Sequence, residues 1–333
     1  MMNDLICIKE RYQDSILKKE NVVGVGVGFK KVKERKTDTL SVVVLVDKKL
    51  PLSALKEKDV VQKELDGVST DVQEIGIVEA LNTKVFQPRI EKWRPAPGGV
   101  SIGHYRGSSG TLGVAVTDRR LGERLILSNN HVLAYNGARI GDPVLQPGPF
   151  DGGKKQDEIA ELYRFVPLSF MVDTPARGVA SKAADVANVF FQMAGSQNRF
   201  IPVRVSNKEN TVDAAVALPL MEDSIKEEIL DIGVLEGIKE AELGMVVEKS
   251  GRTTGHNRGH VDVVDCTLMV NYNYQRTALF SHQIVVRLAS KGGDSGSLIV
   301  SEKSAVGLLF AGSERFSVCN PMDRVADTLH IEI

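Results

Sequence analysis

The sequence predicts a mainly β protein in which a small α/β module, residues 1–82, precedes a longer all-β region, residues 98–333. Two observations predict this division. From Gly98 onward, short apolar runs alternate with frequent turn residues, which is typical of β barrels and sandwiches. Before that point, a helical spacing of apolar residues is followed by strand-like runs. The intervening segment, residues 83–97, is rich in proline and is predicted to be a linker.

The N-terminal module is predicted to have the element order α-β-β-α-β. Apolar residues within 4–19 recur at helical spacing, and the runs 22–30, 40–46 and 68–78 predict strands. Pro51 favours the start of a second helix over 51–57. The run V-V-G-V-G-V-G is not followed by the G-K-[ST] of a phosphate loop. Its glycines therefore predict a strand in close contact with another backbone.

Within the all-β region, two helices are expected among the strands. Apolar residues in 181–199 fall at i, i+3, i+4 and i+7, which predicts an inserted helix. A short helix is also expected over 223–230. Trp93, the only tryptophan, lies in the linker and is expected to be a packing anchor between the two parts of the chain.

Composition excludes several classes of function. The chain of 333 residues has 42 basic and 43 acidic residues, a net charge of −1, so charge gives no reason to expect nucleic acid or a membrane as partner. The N-terminus lacks the pattern of a secretory signal, and no apolar run reaches membrane-spanning length. The three cysteines, Cys7, Cys266 and Cys319, form no disulfide or metal pattern. A cytoplasmic protein without metal or cofactor is expected.

The segment Lys291–Val300, K-G-G-D-S-G-S-L-I-V, sets Ser295 between glycines directly before an apolar strand. Glycines at these positions permit a tight turn that aims backbone N–H groups at one point. A tetrahedral oxyanion needs such an arrangement. A serine hydroxyl also needs an adjacent base, which a third group orients.

The chain supplies a histidine and an acid in suitable contexts. His131 follows the apolar run L-I-L-S, and Asp213 opens the strand-like run D-A-A-V-A-L. Asp185 is the competing acid, but it lies on the predicted inserted helix and is expected to be solvated. His256 and His260 share one face of a predicted strand, but no third ligand stands at a recognised spacing.

These motifs together resemble serine proteases of the chymotrypsin (trypsin-like) fold. The chain order His, Asp, Ser matches that fold and differs from subtilisins and α/β-hydrolases. The sequence S-G-R-T-T-G at 250–255, followed by Gly259 and Val261, is similar to a hairpin of the bacterial α-lytic and streptogrisin-like branch. The run L-L-F-A-G-S at 308–313 resembles the strand that lines the specificity pocket in that family.

The resemblance implies two Greek-key β-barrels, at about 98–220 and 230–333, with a catalytic triad between them. Ser295 would be the nucleophile, His131 the general base and Asp213 its orienting acid. The backbone N–H groups of Gly293 and Ser295 would form the oxyanion hole. Asp294 precedes the serine as in the family, but no activation site is visible for it to respond to.

The resemblance also implies which residues form the substrate pocket. Ala289 stands six residues before the serine, where trypsin-like members carry an acid, which argues against a preference for Lys or Arg. Gly312 would leave the pocket wall open and Phe310 could narrow it. A small or medium apolar residue before the scissile bond is therefore expected.

The leading hypothesis is a serine endopeptidase acting on polypeptides. For the N-terminal module the sequence does not distinguish three roles: binding a protein partner, forming a homo-oligomer or assisting folding. The alternative is a protease-fold protein that binds a peptide or partner with little turnover. An α/β-hydrolase esterase fits poorly, because G-D-S-G-S departs from G-x-S-x-G at its last position.

Overall fold

The computed structural model describes residues 2–32, 35–76, 78, 88–135, 137–173, 178–193, 195, 200, 204–205, 208–273 and 276–333. It contains four α-helices in this part of the chain: α1 (Met2–Leu17), α2 (Asn130–Leu133), α3 (Val179–Met193) and α4 (Met322–Leu329). No helix among the described residues is long and apolar enough to cross a membrane.

The strands are numbered in chain order. They are β1 (Val22–Val32), β2 (Arg35–Val46), β3 (Glu64–Leu65), β4 (Val68–Glu74), β5 (Ala96–Gly98), β6 (Ser101–His104), β7 (Gly110–Thr111), β8 (Val114–Asp118), β9 (Arg124–Ser128), β10 (Pro143–Leu145), β11 (Glu158–Phe165), β12 (Val172–Asp173), β13 (Arg204–Val205), β14 (Ala215–Pro219), β15 (Ile225–Ile229), β16 (Gly237–Ile238), β17 (Val246–Gly251), β18 (Gly255–Asn273), β19 (Arg276–Arg287), β20 (Leu298–Ser301), β21 (Ser304–Gly312), β22 (Ser317–Pro321) and β23 (Ile331–Glu332).

The first half of the all-β region forms a closed antiparallel barrel. Its hydrogen-bonded order is β8-β9-β14-β11-β10-β6-β7. Only Leu112 and Gly113 separate β7 from β8, so these two strands are parts of one bent strand and the ends of the sheet meet. The barrel is lined by apolar side chains such as Ile126, Val144 and Ala215, all fully buried.

The second half forms a second closed barrel with the same winding. Its order is β17-β18-β19-β22-β21-β20, and β20 pairs with β17 to close the circle. Counted in chain order within each barrel, the strands of both barrels run 1-2-3-6-5-4 around the circumference. This shared order confirms the predicted pair of Greek-key barrels, although the two halves show no repeat in their sequences.

The C-terminus joins the two barrels. After β22 the chain enters α4, and β23 then pairs with β8 of the first barrel. Apolar residues of α4, including Val325 and Leu329, pack in one cluster with Leu127 of the first barrel and Leu308 of the second. The two barrels therefore share a continuous apolar core, as expected for a site built between them.

The N-terminal strands extend the sheet of the second barrel. The sheet continues from β18 through β1, β2 and β4 to β3, with β1 antiparallel to β18. The glycine-rich strand is in close contact with its neighbour, as predicted: a Cβ at Gly26 would lie 2.3 Å from Cγ1 of Val263. The proposed domain boundary near residue 82 lies outside the described residues.

Two predicted helices are wrong. Residues 51–57 form short 3-10 turns at Leu52–Ala54 and Glu57–Asp59, with extended backbone at Pro51 and Lys56. Residues 225–229 form strand β15, which pairs in parallel with β5. Ile225 and Ile229 are buried with charged residues between them, and pairing with β5 determines the extended backbone here.

Three further expectations concern the inserted helix, Trp93 and the linker. The inserted helix is α3, and Asp185 lies on it with an exposed side chain. Trp93 is partly buried and packs against the core of the first barrel, and its role as an anchor between the two parts of the chain stays a prediction. Of the predicted linker, residues 83–87 lie outside the described residues, and residues 96–98 form β5.

Candidate active site

His131 and Asp213 are brought together by two neighbouring strands. His131 lies in α2, directly after β9, and Asp213 directly precedes β14; Ser128 of β9 is paired with Ala215 of β14. His131 Nδ1 lies 2.7 Å from Asp213 Oδ2, and the backbone N–H of His131 donates to Oδ1 at 3.2 Å. Asp213 is completely buried, while 18% of the His131 side chain is exposed. The Asp213 carboxylate therefore fixes the orientation of the His131 ring through Nδ1, and Nε2 is the ring nitrogen that can bind a second group.

Two asparagines fix the backbone of Asp213. The backbone N–H of Asp213 donates to Asn320 Oδ1 at 3.0 Å, and Asn129 Nδ2 donates to the Asp213 carbonyl oxygen at 2.7 Å. Asn129 belongs to the first barrel and Asn320 to β22 of the second. The acid is thus anchored on both barrels. Sequence analysis did not single out either asparagine, because neither lies in a recognised motif.

A third donor reaches the Asp213 carboxylate from the second barrel. The hydroxyl of Tyr272, near the end of β18, donates to Asp213 Oδ2 at 2.5 Å. Burial, followed by the negative charge of Asp213, raises the pKa of Tyr272 well above its usual value. The hydroxyl therefore stays protonated and acts as a donor at neutral pH. Sequence analysis also missed this residue, which is 59 positions from its partner.

Ser295 lies across the same cavity from the histidine. His131 and Ser295 both line a cavity of about 900 Å³. The Ser295 hydroxyl donates to the carbonyl oxygen of Phe310 at 3.4 Å, and within the described part of the chain it makes no hydrogen bond to His131. In unliganded enzymes such a contact is often long and tightens only when substrate is bound.

The turn before Ser295 has a backbone conformation that requires glycine. Gly293 has φ of +95°, and a Cβ there would lie 1.9 Å from Arg252 Nη1, so only glycine fits. Thr111 Oγ1 donates to the Gly293 carbonyl oxygen at 2.7 Å and turns it away. Within the described part of the chain, the backbone N–H groups of Gly293 and Ser295 donate no hydrogen bond to a backbone carbonyl oxygen of a turn or loop.

Asp294 holds this turn from behind. It accepts hydrogen bonds from the backbone N–H groups of Thr253, Thr254 and Lys291 at 2.9, 3.0 and 2.9 Å. Lys249 Nζ lies 3.4 Å from Asp294 Oδ2, and both side chains are fully buried. Burial lowers the pKa of Lys249, and the charge of Asp294 opposes that shift. The sequence did not show what the Asp294 carboxylate binds. In the structure its partners are backbone N–H groups nearby and the buried ammonium of Lys249.

The turn S-G-R-T-T-G at 250–255 contacts the first barrel at the site. Arg252 Nε donates to Asp151 Oδ2 at 2.6 Å, and its Nη2 pairs with the other carboxylate oxygen. The two side chains are 2% and 5% exposed, so the ion pair is buried. Asp151 follows β10 of the first barrel, whereas Arg252 lies in the turn between β17 and β18.

The three residues expected to form the substrate pocket do not line the cavity that contains His131 and Ser295. Ala289 is exposed, and Phe310 is fully buried against Phe280, with ring centroids 4.7 Å apart. Gly312 is buried, and a Cβ there would lie 2.6 Å from Ser290 Oγ. Their assignment to the substrate pocket stays a prediction.

The cavity itself is lined mainly by apolar and aromatic side chains of the first barrel, among them Tyr135, Phe150, Phe165 and Leu168. Its described lining contains two arginines, Arg106 and Arg276, and no carboxylate residue. Such a lining suits a ligand that carries apolar groups.

One group of possible metal ligands lies away from this site. Glu10, Asp265 and His282 place ligand atoms within 4.8 Å of one another. Lys9 Nζ lies 3.0 Å from Asp265 Oδ2, so a resident ammonium already neutralises that carboxylate. A metal ion there would have to compete with this charge.

No protein-family model and no curated protein matches the chain. Among solved structures, it is similar to a Nocardiopsis protease at 15% identity, over 71% of this chain and 98% of the other, with a TM-score of 0.46. It is also similar to Thermobifida fusca protease A (14% identity, 71% and 98%, TM-score 0.44) and to a glutamic acid-specific serine protease (16%, 72% and 100%, TM-score 0.44). At these identities and scores, the similarity assigns no activity to the chain.

Proposed function

We propose that this protein is a serine endopeptidase that hydrolyses peptide bonds through Ser295, His131 and Asp213. The observation that carries the proposal is the buried Asp213 carboxylate 2.7 Å from His131 Nδ1, in the wall of the cavity that Ser295 also lines. A buried acid that orients a partly exposed histidine towards a cavity serine is the arrangement that nucleophilic acyl transfer requires.

The reaction has two halves. Ser295 Oγ attacks the scissile carbonyl carbon while His131 Nε2 accepts the hydroxyl proton. The tetrahedral intermediate collapses, the C–N bond breaks, and His131 returns the proton to the leaving amine. Water then attacks the acyl-enzyme in the same way, which releases the acid and restores Ser295. Asp213 keeps the proton on Nδ1 and stabilises the charged ring in both halves.

The intermediate's oxyanion would be bound by the backbone N–H groups of Gly293 and Ser295. Loss of one such donor costs about 2.7–4 kcal/mol of transition-state stabilisation in comparable sites. The left-handed backbone of Gly293 and the hydrogen bonds to the buried carboxylate of Asp294 hold this turn in place.

The attack requires Ser295 to exchange its partner. Its hydrogen bond to the Phe310 carbonyl is long, at 3.4 Å, and therefore weak. Rotation of the hydroxyl towards His131 breaks only this weak hydrogen bond and so costs little free energy. A substrate carbonyl bound in the turn would favour the rotation.

A fluorophosphonate probe with a reporter group tests the proposal. The wild-type chain is expected to be labelled at Ser295, and Ser295→Ala is expected to remain unlabelled. Ser108→Ala is the matched control, because Ser108 lines the same cavity but does not stand in the glycine turn. It should be labelled like the wild type, and all three should hydrolyse a peptide library in proportion to their labelling. A folded wild type that neither reacts nor hydrolyses peptides would overturn the proposal.

The second candidate function is peptide binding with little turnover. It is favoured by the Ser295 hydroxyl's bond to the Phe310 carbonyl, which leaves the serine unactivated. Tight binding of library peptides without cleavage, together with an unlabelled Ser295, would support this alternative.

Three further expectations accompany the proposal. A small or medium apolar residue before the scissile bond is expected, and the cleavage sites in the peptide library test it. The chain is expected to be cytoplasmic. Its N-terminal module is expected to support a homo-oligomer or a protein partner, which the mass of the purified protein in solution tests.

A further inference from the structure

We propose that Tyr272 is a positioning residue of the active site, whose hydroxyl fixes the Asp213 carboxylate in the orientation that His131 requires. This inference rests on the proposed peptidase function, because it assigns a role within the same triad. It concerns a residue that acts through Asp213 and does not itself touch the reacting atoms.

The contacts of Asp213 show why a third donor matters. Oδ1 accepts from the His131 backbone, and Oδ2 accepts both from His131 Nδ1 and from the Tyr272 hydroxyl, at 2.7 and 2.5 Å. Asp213 is 0% exposed, so water cannot replace a lost donor. Without Tyr272, Oδ2 would depend on His131 alone, and the carboxylate plane could rotate about χ2, which has a broad torsional minimum.

The position of the Tyr272 ring is itself well determined. Its centroid lies 5.5 Å from that of Phe170 and 6.3 Å from that of Phe280, and all three rings belong to one apolar cluster. The ring of His131 meets it edge-on at 5.7 Å. A phenylalanine at position 272 could make the same ring contacts, so packing does not explain why this residue carries a hydroxyl. Its one partner among the described residues is the triad carboxylate.

The strand that carries Tyr272 connects the site to the N-terminal segment. Tyr272 lies near the end of β18, which is paired with β19 on one edge and with β1 on the other. Gly24 of β1 is paired with Leu268, four residues before the tyrosine. The N-terminal strands thereby stiffen the strand that delivers the hydroxyl, which gives this segment a part in the site.

Tyr272→Phe tests the role, because it removes only the hydroxyl and keeps the ring contacts. We expect kcat to fall about 10-fold, equivalent to about 1.4 kcal/mol, with KM unchanged. Tyr163→Phe is the matched control, since Tyr163 packs on the apolar core that the two barrels share and does not line the cavity. It is expected to leave both constants unchanged.

A double-mutant cycle separates positioning from simple packing. If the hydroxyl acts through Asp213, Tyr272→Phe should cost little in an Asp213→Asn background. An equal loss in both backgrounds, or no loss in the wild-type background, would overturn the proposal.

A readout that needs no activity keeps this test distinct from that of the peptidase itself. In Ser295→Ala, the His131 Nδ1 proton can be followed by NMR, and adding Tyr272→Phe should shift this resonance, while adding Tyr163→Phe should not. An unshifted resonance refutes the Tyr272 assignment even in an active peptidase. A shifted resonance, together with a wild-type chain that cleaves no peptide, refutes the peptidase function and leaves the hydrogen bond established.

Discussion

Asp118 is a buried carboxylate that its neighbours keep ionised. Arg164 Nη2 donates to Oδ2 at 2.5 Å, and the backbone N–H groups of Arg120 and Leu121 donate to Oδ1 at 2.8 and 3.0 Å. The hydrogen bond from Arg164 is the largest cause that lowers the pKa of Asp118 from 3.8 to about 2. Because this pKa is lower in the folded than in the unfolded chain, the carboxylate contributes stability above about pH 4 that is lost as the pH falls towards about 2.

Asp118→Asn is therefore expected to lower the free energy of unfolding at pH 7, and the deficit should shrink as the pH falls from about 4 to about 2. Urea unfolding of both proteins across this range measures the difference. Asp327→Asn serves as control, because Asp327 is 75% exposed in its ion pair with Arg119 and such pairs contribute little. A deficit for Asp118→Asn that stays constant with pH would contradict the account.

The residues of the candidate site differ in how far the sequence could predict them. Ser295, His131 and Asp213 each stand in a local pattern, so their roles could be proposed without coordinates. Tyr272 and Asn320 could not be found in this way. Each reaches Asp213 through barrel closure, across 59 and 107 positions respectively, and nothing around either residue in the sequence marks it.

At the scale of elements, the glycines of β1 are required by the side chains of β18. A Cβ at Gly26 would lie 2.3 Å from Val263 Cγ1 and 3.3 Å from the Cβ of Cys266. Gly26→Ala is expected to destabilise the protein by about 1–3 kcal/mol, as overpacking of a core does.

Thermal unfolding compared with Gly107→Ala measures this effect, because a Cβ at Gly107 meets its nearest atoms at an ordinary 3.4 Å. Gly26→Ala should melt at a clearly lower temperature than the control. Equal melting temperatures would mean that β1 does not pack closely on β18.

The strands were predicted better than the short helices. The runs 22–30 and 40–46 lie within β1 and β2, because both are rich in valine, which favours paired and buried strands. Most of the helix expected over 223–230 is strand β15, which pairs with β5. The prediction failed because β5 lies more than 100 residues away in the sequence. A local pattern cannot show that a distant strand is available for pairing.

At the scale of the whole molecule, the two barrels are held together by a buried ion pair as well as by apolar contacts. Arg252 of the second barrel and Asp151 of the first are almost fully buried and bonded through two donors. Arg252→Met would leave the Asp151 carboxylate buried and unpaired, a change that costs about 3–5 kcal/mol in comparable cases.

Chemical unfolding of Arg252→Met should show this loss of stability. Fluorophosphonate labelling of Ser295 should also be slower in this variant, since Arg252 packs against Gly293. Arg119→Met is the matched control, because its ion pair with Asp327 is exposed, and it should unfold like the wild type. Equal stability of the two variants would show that the barrels do not depend on this pair.

The central claim is that Ser295 and His131 act as one catalytic unit, and the rate of peptide hydrolysis in single and double variants tests it most directly. Ser295→Ala and His131→Ala should each lose nearly all of kcat while melting close to the wild-type temperature. The double variant should lose no more than either single variant, because residues that act as a unit are strongly non-additive. Losses that multiply in the double variant, or a His131→Ala chain that still hydrolyses peptides at the wild-type rate, would contradict the account.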